Sequence, residues 1–452
     1  MQPGHDEAAA AAAGRTTPPP STVAASDGAR AIRVLSLYGT SWRFDRRTGR
    51  TRELTDCLRL GRLDRFFRAN ADHLPAMISR RPIRADAISC DQWRTGTITG
   101  AELWLLSMPT DGVVVALHLD LDCWLIDTIE LLTSCYEVGL HIEGTDLESV
   151  ARTEAVRHDV VVGDGTVGLA PERHQIVCAT GQHLIDPANT LRRVIYRSHR
   201  PPRPEHSVIS YPSELNRRSG TAAVGRDMSV LCDQDDYLED AAFASATQAV
   251  ASARWLREIQ DDLHRALRDL PQAETAGEQP RTRRDALAEI ADTLTRREHD
   301  LSAAMAPAEL GALIPSQRGG EYHQTVWEAI GLAQRAATIS QLHRRMAATT
   351  HAELTAIGGL EQHADDRRRR WTTAAGIGAA VAIPISLPIA FLATRVGAWV
   401  YAVAGLLAVA AFLIARYAHG GAAAWGVRWR PGWWSLSRAI ARPPRPGSIR
   451  ER

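Results

Sequence analysis

The chain has 452 residues, with 53 Lys+Arg against 52 Asp+Glu and a net charge of +1. That length holds two or three domains, and the balanced charge argues against nucleic acid as a partner held by bulk charge. Every one of the basic residues other than His is arginine, which removes the P-loop, the pyridoxal Schiff base, the lysine nucleophile and the phosphate-pairing lysine of protein kinases.

Arginine in place of lysine, with abundant Ala and Gly, is the mark of a very GC-rich bacterial genome. Residues 1–30 carry a six-alanine run, three consecutive prolines (Pro18 to Pro20) and no large apolar core. They read as a disordered leader and not as a signal peptide. The six cysteines, Cys57, Cys90, Cys123, Cys135, Cys178 and Cys232, are scattered without a C-x-x-C pair. Buried structural thiols in a reducing cytosol are expected.

Residues 31–232 alternate between two patterns. The runs AIRVLSLYG, AELWLLSMP, GVVVALHLDLD, HQIVCAT and MSVLC read as strands. ELTDCLRLGRLDRFFRAN and WLIDTIELLTSCYEVG read as helices. The mixture predicts an α+β or α/β domain with a sheet of several strands.

Three motifs in this region invite chemistry. In HLDLD, alternation puts His118, Asp120 and Asp122 on one strand face and Leu117, Leu119 and Leu121 on the other. Such a triad could hold a divalent metal, but a solvated polar face opposite a leucine core is the plainer reading. GDGTVG, Gly163 to Gly168, matches a dinucleotide fingerprint, yet Pro171 and an apolar strand follow where a helix is required. A tight turn between strands at Asp164–Gly165 is expected instead. LRRVIYRSHRPPRPEH (191–206) could grip an anionic ligand through its arginines. A solvated helix followed by an extended proline-rich linker is the competing reading. No G-x-S-x-G elbow, H-E-x-x-H or calcium-loop motif occurs. No catalytic residue, cofactor site or metal set is therefore assigned.

From Asp233 the pattern turns helical to residue 366, predicting a bundle or stalk. Asp233 is the expected N-cap of a first helix. Its buried face is Ala242, Ser245, Ala249, Ser252, Leu256, Ile259, Leu263, Ala266 and Leu270, and Pro271 is expected to end it. A second helix carries Leu287, Ile290, Leu294 and Leu301. A third runs from near Tyr322 into the apolar segment beyond, with an interruption near Gly358–Gly359.

Residues 367–415 read as a two-helix transmembrane hairpin. Trp371 to Thr394 is 24 residues without a charge, rising about 36 Å against a hydrocarbon core of about 30 Å. Val396 to Ala415 is a second uncharged run of 20 residues, separated from the first by Arg395 alone. Pro384 and Pro388 are expected to kink the first span. Arg367, Arg368, Arg369 and Arg370 precede it, and Arg416, Arg428, Arg430 and Arg438 follow the second. By the positive-inside rule both termini are cytoplasmic, in an inner membrane crossed twice. Trp371 and, in the basic tail 416–452, Trp425, Trp429, Trp433 and Trp434 are expected at the interface with anionic headgroups.

The order of segments is a mixed α/β domain, helices, a long helix into the membrane, a short turn, a second span and a basic end. This layout resembles that of CorA-type magnesium channels. The family marks the end of its first span with Gly-Met-Asn; the corresponding stretch here, FLATRVGAW, has neither Met nor Asn. The resemblance therefore implies an architecture and transfers no functional residue.

Together these features point to a membrane-anchored cytoplasmic sensing or scaffolding protein, without enzymatic activity, that pairs with itself or with a cytoplasmic protein. The alternative is an oligomeric CorA-like channel or membrane-perturbing effector of a conflict system. An enzyme centred on His118, Asp120 and Asp122 is the third possibility.

Overall fold

The structure, a computed structural model, describes residues 31–396 except 91–92, 138, 163–167, 170, 183, 218–219, 276–279 and 313, together with residues 405, 406, 409 and 410. It is a mixed α+β chain with an N-terminal sheet domain and helices after it. The expected leader, the turn at Asp164–Gly165, the second span and the basic tail fall outside the described residues, but for those four positions.

The strands in chain order are β1 Ala31–Arg43, β2 Arg52–Glu53, β3 Ala76–Ile83, β4 Ile88–Ser89, β5 Thr97–Ser107, β6 Gly112–Asp122, β7 His141–Ile142, β8 Thr145–Asp146, β9 Arg173–Thr180, β10 Thr221–Val224 and β11 Met228–Cys232. The helices are α1 Asp64–Ala69, α2 Ile129–Glu137, α3 Leu147–Arg157, α4 Pro187–Ile195, α5 Asp236–Thr275, α6 Pro280–Ala312, α7 Gln317–Ile330 and α8 Leu332–Val396.

Eight strands form the main sheet in the order β10-β11-β9-β1-β6-β5-β3-β2. All neighbours are antiparallel except β11 and β9. β1 sits between β6 and β9, with Val34 opposite both Leu119 and Val177. Strand alternation then sorts two cores. On one face Val34, Leu103, Leu117, Leu119 and Val177 pack with Leu131, Ala151 and Leu191, residues of α2, α3 and α4. Each fully buried Leu there contributes about 1.5–3 kcal/mol relative to exposure. Asp146 starts α3 and Asp186 starts α4 by accepting the Ser149 and Asn189 backbone N–H groups.

The opposite face, with Leu35, Leu37, Trp104 and Ile176, lies under α5. Gly39 allows the approach: a Cβ there would meet Arg254 Cβ at 2.9 Å and the Val250 carbonyl oxygen at 3.3 Å. All nine residues expected on the inner face of α5, from Ala242 to Leu270, are buried. α7 joins the same layer through the Tyr322 hydroxyl, which donates to Ser229 Oγ at 3.0 Å.

Several local expectations change. Asp233 is not the cap of α5. It has φ 52°, and its carboxylate accepts the Gly181 N–H at 2.8 Å, tying the end of β9 to the end of β11. The helix begins at Asp236, with the Asp235 carbonyl accepting the Leu238 N–H. Pro271 does not end α5, whose helical backbone runs on to Thr275. The break before the last helix lies at Gly331 (φ 75°), the left-handed cap of α7. Gly358 and Gly359 lie inside an unbroken α8, where each costs about 1 kcal/mol relative to Ala. The stretch 53–70 is not one helix: two 3-10 turns, Leu54–Asp56 and Gly61–Leu63, precede a short α-helix, Asp64–Ala69. The chain divides into two compact units, with the boundary between Ala352 and Glu353.

Candidate functional site

The HLDLD strand separates its three polar residues. The leucines are buried and Asp120 and Asp122 exposed, as expected, but His118 is half-buried under α5. It stacks on Trp104 with ring centroids 3.9 Å apart and meets the Phe243 ring of α5 edge-on at 5.0 Å. Its Nε2 is buried without a hydrogen-bond partner. Burial, with help from Arg33 and Arg80, holds its pKa well below the ordinary 6.5. Asp120 instead faces Arg33 of β1 at 3.7 Å, and Asp122 is exposed at the strand end. Among the described residues no three His, Cys, Asp or Glu side chains are placed to hold a metal ion.

Arg33 is the centre of a polar cluster that no local motif announces. Its Nη1 lies 3.7 Å from Glu239 Oε2 and 3.5 Å from Asp240 Oδ1, both in the opening turns of α5. Asp240 also accepts the Arg59 backbone N–H at 2.6 Å. Carboxylates suit the positive end of a helix. Burial nevertheless outweighs Arg33 at Glu239 and pushes its pKa up to about 7. A second hidden node is Glu172, whose Oε1 accepts from Arg257 of α5 at 2.9 Å and from Arg335 of α8 at 3.3 Å.

A groove of about 1330 Å³ runs between α5 and α6, lined by Glu258, Asp262, Arg297 and Asp300 among others. Its charges engage one another. Asp262 pairs with Arg265 and Arg297, and Arg297 reaches Asp300 at 2.5 Å. Of these, the Asp262–Arg297 pair joins α5 to α6; the other two lie within one helix each.

The arginine-rich segment 191–206 splits. Arg192 and Arg193 lie on α4, where Arg192 bonds Asn189 Oδ1. Arg197 turns inward just past the helix. Its Nε donates to Gln175 Oε1 at 2.8 Å, and its guanidinium lies 3.8 Å from the ring centroid of Tyr136 on α2. Arg173 of β9 lies over the same ring at 4.2 Å. The linker expectation holds only for part of the proline half, since Pro204–His206 forms a 3-10 turn.

Arg367, Arg368, Arg369, Arg370 and Trp371 are exposed on α8. Pro384 and Pro388 lie within its helical backbone, which continues to Val396; the side chains from 377 onward are outside the described residues. Among the described residues no helix is long and apolar enough to cross a membrane. Trp425, Trp429, Trp433 and Trp434 lie outside them. The cysteines are free, with Cys123, Cys135, Cys178 and Cys232 buried and Cys57 and Cys90 half-buried. Burial pushes the Cys135 thiol up to about 12, as befits a packing residue.

No protein-family model, no curated protein and no solved structure matches the chain. The resemblance to CorA-type channels therefore rests on the order of segments in the sequence.

Proposed function

We propose that the chain is a bacterial inner-membrane protein whose sheet domain and following helices act as a cytoplasmic sensing or scaffolding module. The module is held at the bilayer by a hairpin with spans 371–394 and 396–415. In this reading residues 233–366 are the helical stalk or bundle, Arg367 to Arg370 and the basic tail contact anionic headgroups, and both termini stay in the cytoplasm. Signal reception or partner assembly, not catalysis, is its role, with a second copy or a cytoplasmic protein as the partner.

One observation carries the proposal. A single helix, α8, runs from Leu332 through the exposed Arg367–Arg370 belt and into the first uncharged run without a break in its backbone. Arginine beside an uncharged run of more than 20 residues is the pattern that bilayers select. The test is alkaline carbonate extraction of membranes from cells expressing the full chain. Retention in the pellet is expected, and release into the supernatant would contradict the anchor.

A further inference from the structure

We propose that Arg173 and Arg197, beside Tyr136, form a binding site for a phosphate group, carried either by a soluble metabolite or by a lipid headgroup. This deepens the sensing role proposed above by naming what is sensed, and its test does not depend on membrane attachment.

Three other arginines, on α5 or packed against it, are neutralised by carboxylates. Arg33 faces Asp120, Glu239 and Asp240; Arg254 pairs with Glu258; Arg335 reaches Glu172. Arg173 and Arg197 break that pattern. Neither has a carboxylate within ion-pair distance among the described residues. Arg197 is satisfied by neutral acceptors, Gln175 Oε1 at 2.8 Å and the Asp227 carbonyl at 3.3 Å. The Asp227 carboxylate acts on it only from a distance, and burial lowers its pKa. Arg173 has less: its Nε and Nη1 are buried with no hydrogen-bond partner at all.

Two positive charges are thus held against one phenol ring, at 4.2 and 3.8 Å from its centroid. The geometry is built by rigid elements. Arg173 opens β9 opposite Tyr38 of β1, Tyr136 closes α2, and Arg197 (φ 48°) follows the last turn of α4. Gln175, which orients Arg197, is itself pinned by its amide donating to the Leu132 carbonyl at 3.0 Å. Arg173, Tyr136 and Arg197 are all half-buried.

Contact with an aromatic ring offsets part of the cost of a buried guanidinium but satisfies none of its N–H donors. The unpartnered Nε and Nη1 donors of Arg173, with the second positive charge of Arg197 against the same ring, match an anion carrying close to two charges and several acceptor oxygens. That describes phosphate, with a charge of about −1.5 to −2 at neutral pH, better than a single carboxylate.

The experiment is thermal unfolding and calorimetric titration of the full chain in detergent micelles. Inorganic phosphate is compared with chloride at equal ionic strength, and a parallel arm uses dioctanoyl phosphatidic acid. Binding of inorganic phosphate identifies a soluble source, and binding of phosphatidic acid alone identifies a headgroup. Either supports the site if Arg173→Gln weakens it by about tenfold or more, the loss of roughly one charge-assisted hydrogen bond. Because the Nε and Nη1 of Arg173 have no hydrogen-bond partner among the described residues, Arg173→Gln should leave the unliganded midpoint unchanged or raised. Saturable binding of neither probe would overturn the proposal. So would binding that survives in Arg173→Gln, or an Arg173→Gln variant that is destabilised without ligand and binds as the parent does.

Discussion

His118 and Trp104 lie face to face on adjacent strands, with ring centroids 3.9 Å apart and an interplanar angle of 19°, beneath the Phe243 ring of α5. The stack explains why a histidine in a polar-looking strand motif is packed among aromatic rings. It also sets a sign for acid sensitivity. The folded-state pKa is depressed by burial, so between that value and about 6.5 the unfolded chain binds the proton and the folded chain does not. Stability therefore falls as pH drops below about 6.5. His174 and His323, each lowered to about 4 by burial, act in the same direction. We expect His118→Phe to match or exceed the parent stability at pH 8, because a buried unpartnered nitrogen is removed. It should also make the decline below pH 6.5 shallower. Urea unfolding across pH 4.5–8 checks both.

Glu239 should work in the opposite direction. Its folded pKa is raised to about 7, so between about 4.5 and 7 the folded chain holds the extra proton. Its contribution is fully present below about 4.5 and is lost as pH rises through 7. Glu239→Gln should therefore gain stability relative to the parent at pH 8 and lose that advantage at pH 5. A pH-independent difference in urea midpoint would contradict this.

Gly39→Ala should destabilise the chain by about 1–3 kcal/mol, the usual range for overpacking a close-packed contact. The new methyl group would meet Arg254 Cβ and two backbone carbonyls, those of Val250 and Glu172, at 2.9–3.4 Å. A midpoint within error of the parent would mean that α5 and β1 can separate freely.

Glu172→Ala should cost about 2–3 kcal/mol. Breaking a fully buried ion pair costs about 3–5 kcal/mol, but the Arg257 side chain is 45% exposed and its charge is screened by water. Glu172→Gln should recover part of the loss, since an amide oxygen still accepts from Arg335. Equal losses in the two variants would remove the hydrogen-bonding account.

The legible parts of this chain are those governed by local period. Gly112–Asp122 and Met228–Cys232 could be bounded as strands because β-branched and leucine runs stop at turn residues. The inner face of α5 could be drawn residue by residue from spacings of three and four. Two signals misled. Pro271 reads as a terminator, yet α5 carries the helical backbone past it. Asp233 reads as a cap, but its carboxylate is taken by Gly181, 52 residues earlier in the chain. The polar clusters were illegible for a simpler reason. Arg33 meets Glu239 and Asp240 only because β1 and the start of α5 pack together, and no spacing encodes that. The arginine-rich segment drew attention from its composition. That Arg197 would join Arg173 over Tyr136 depended on the register of β9 and the end of α4.

The membrane account is tested most directly by the sidedness of two introduced thiols. Cys57 and Cys90 are first replaced by Ser, leaving only buried native cysteines, and Arg367→Cys and Arg395→Cys are made separately in the full chain. A membrane-impermeant maleimide is then applied to intact spheroplasts. The account predicts labelling of the Arg395→Cys variant from outside, and of the Arg367→Cys variant only after lysis. Protection at both positions, or labelling of Arg367→Cys from outside, would contradict a two-span hairpin presenting its module to the cytoplasm.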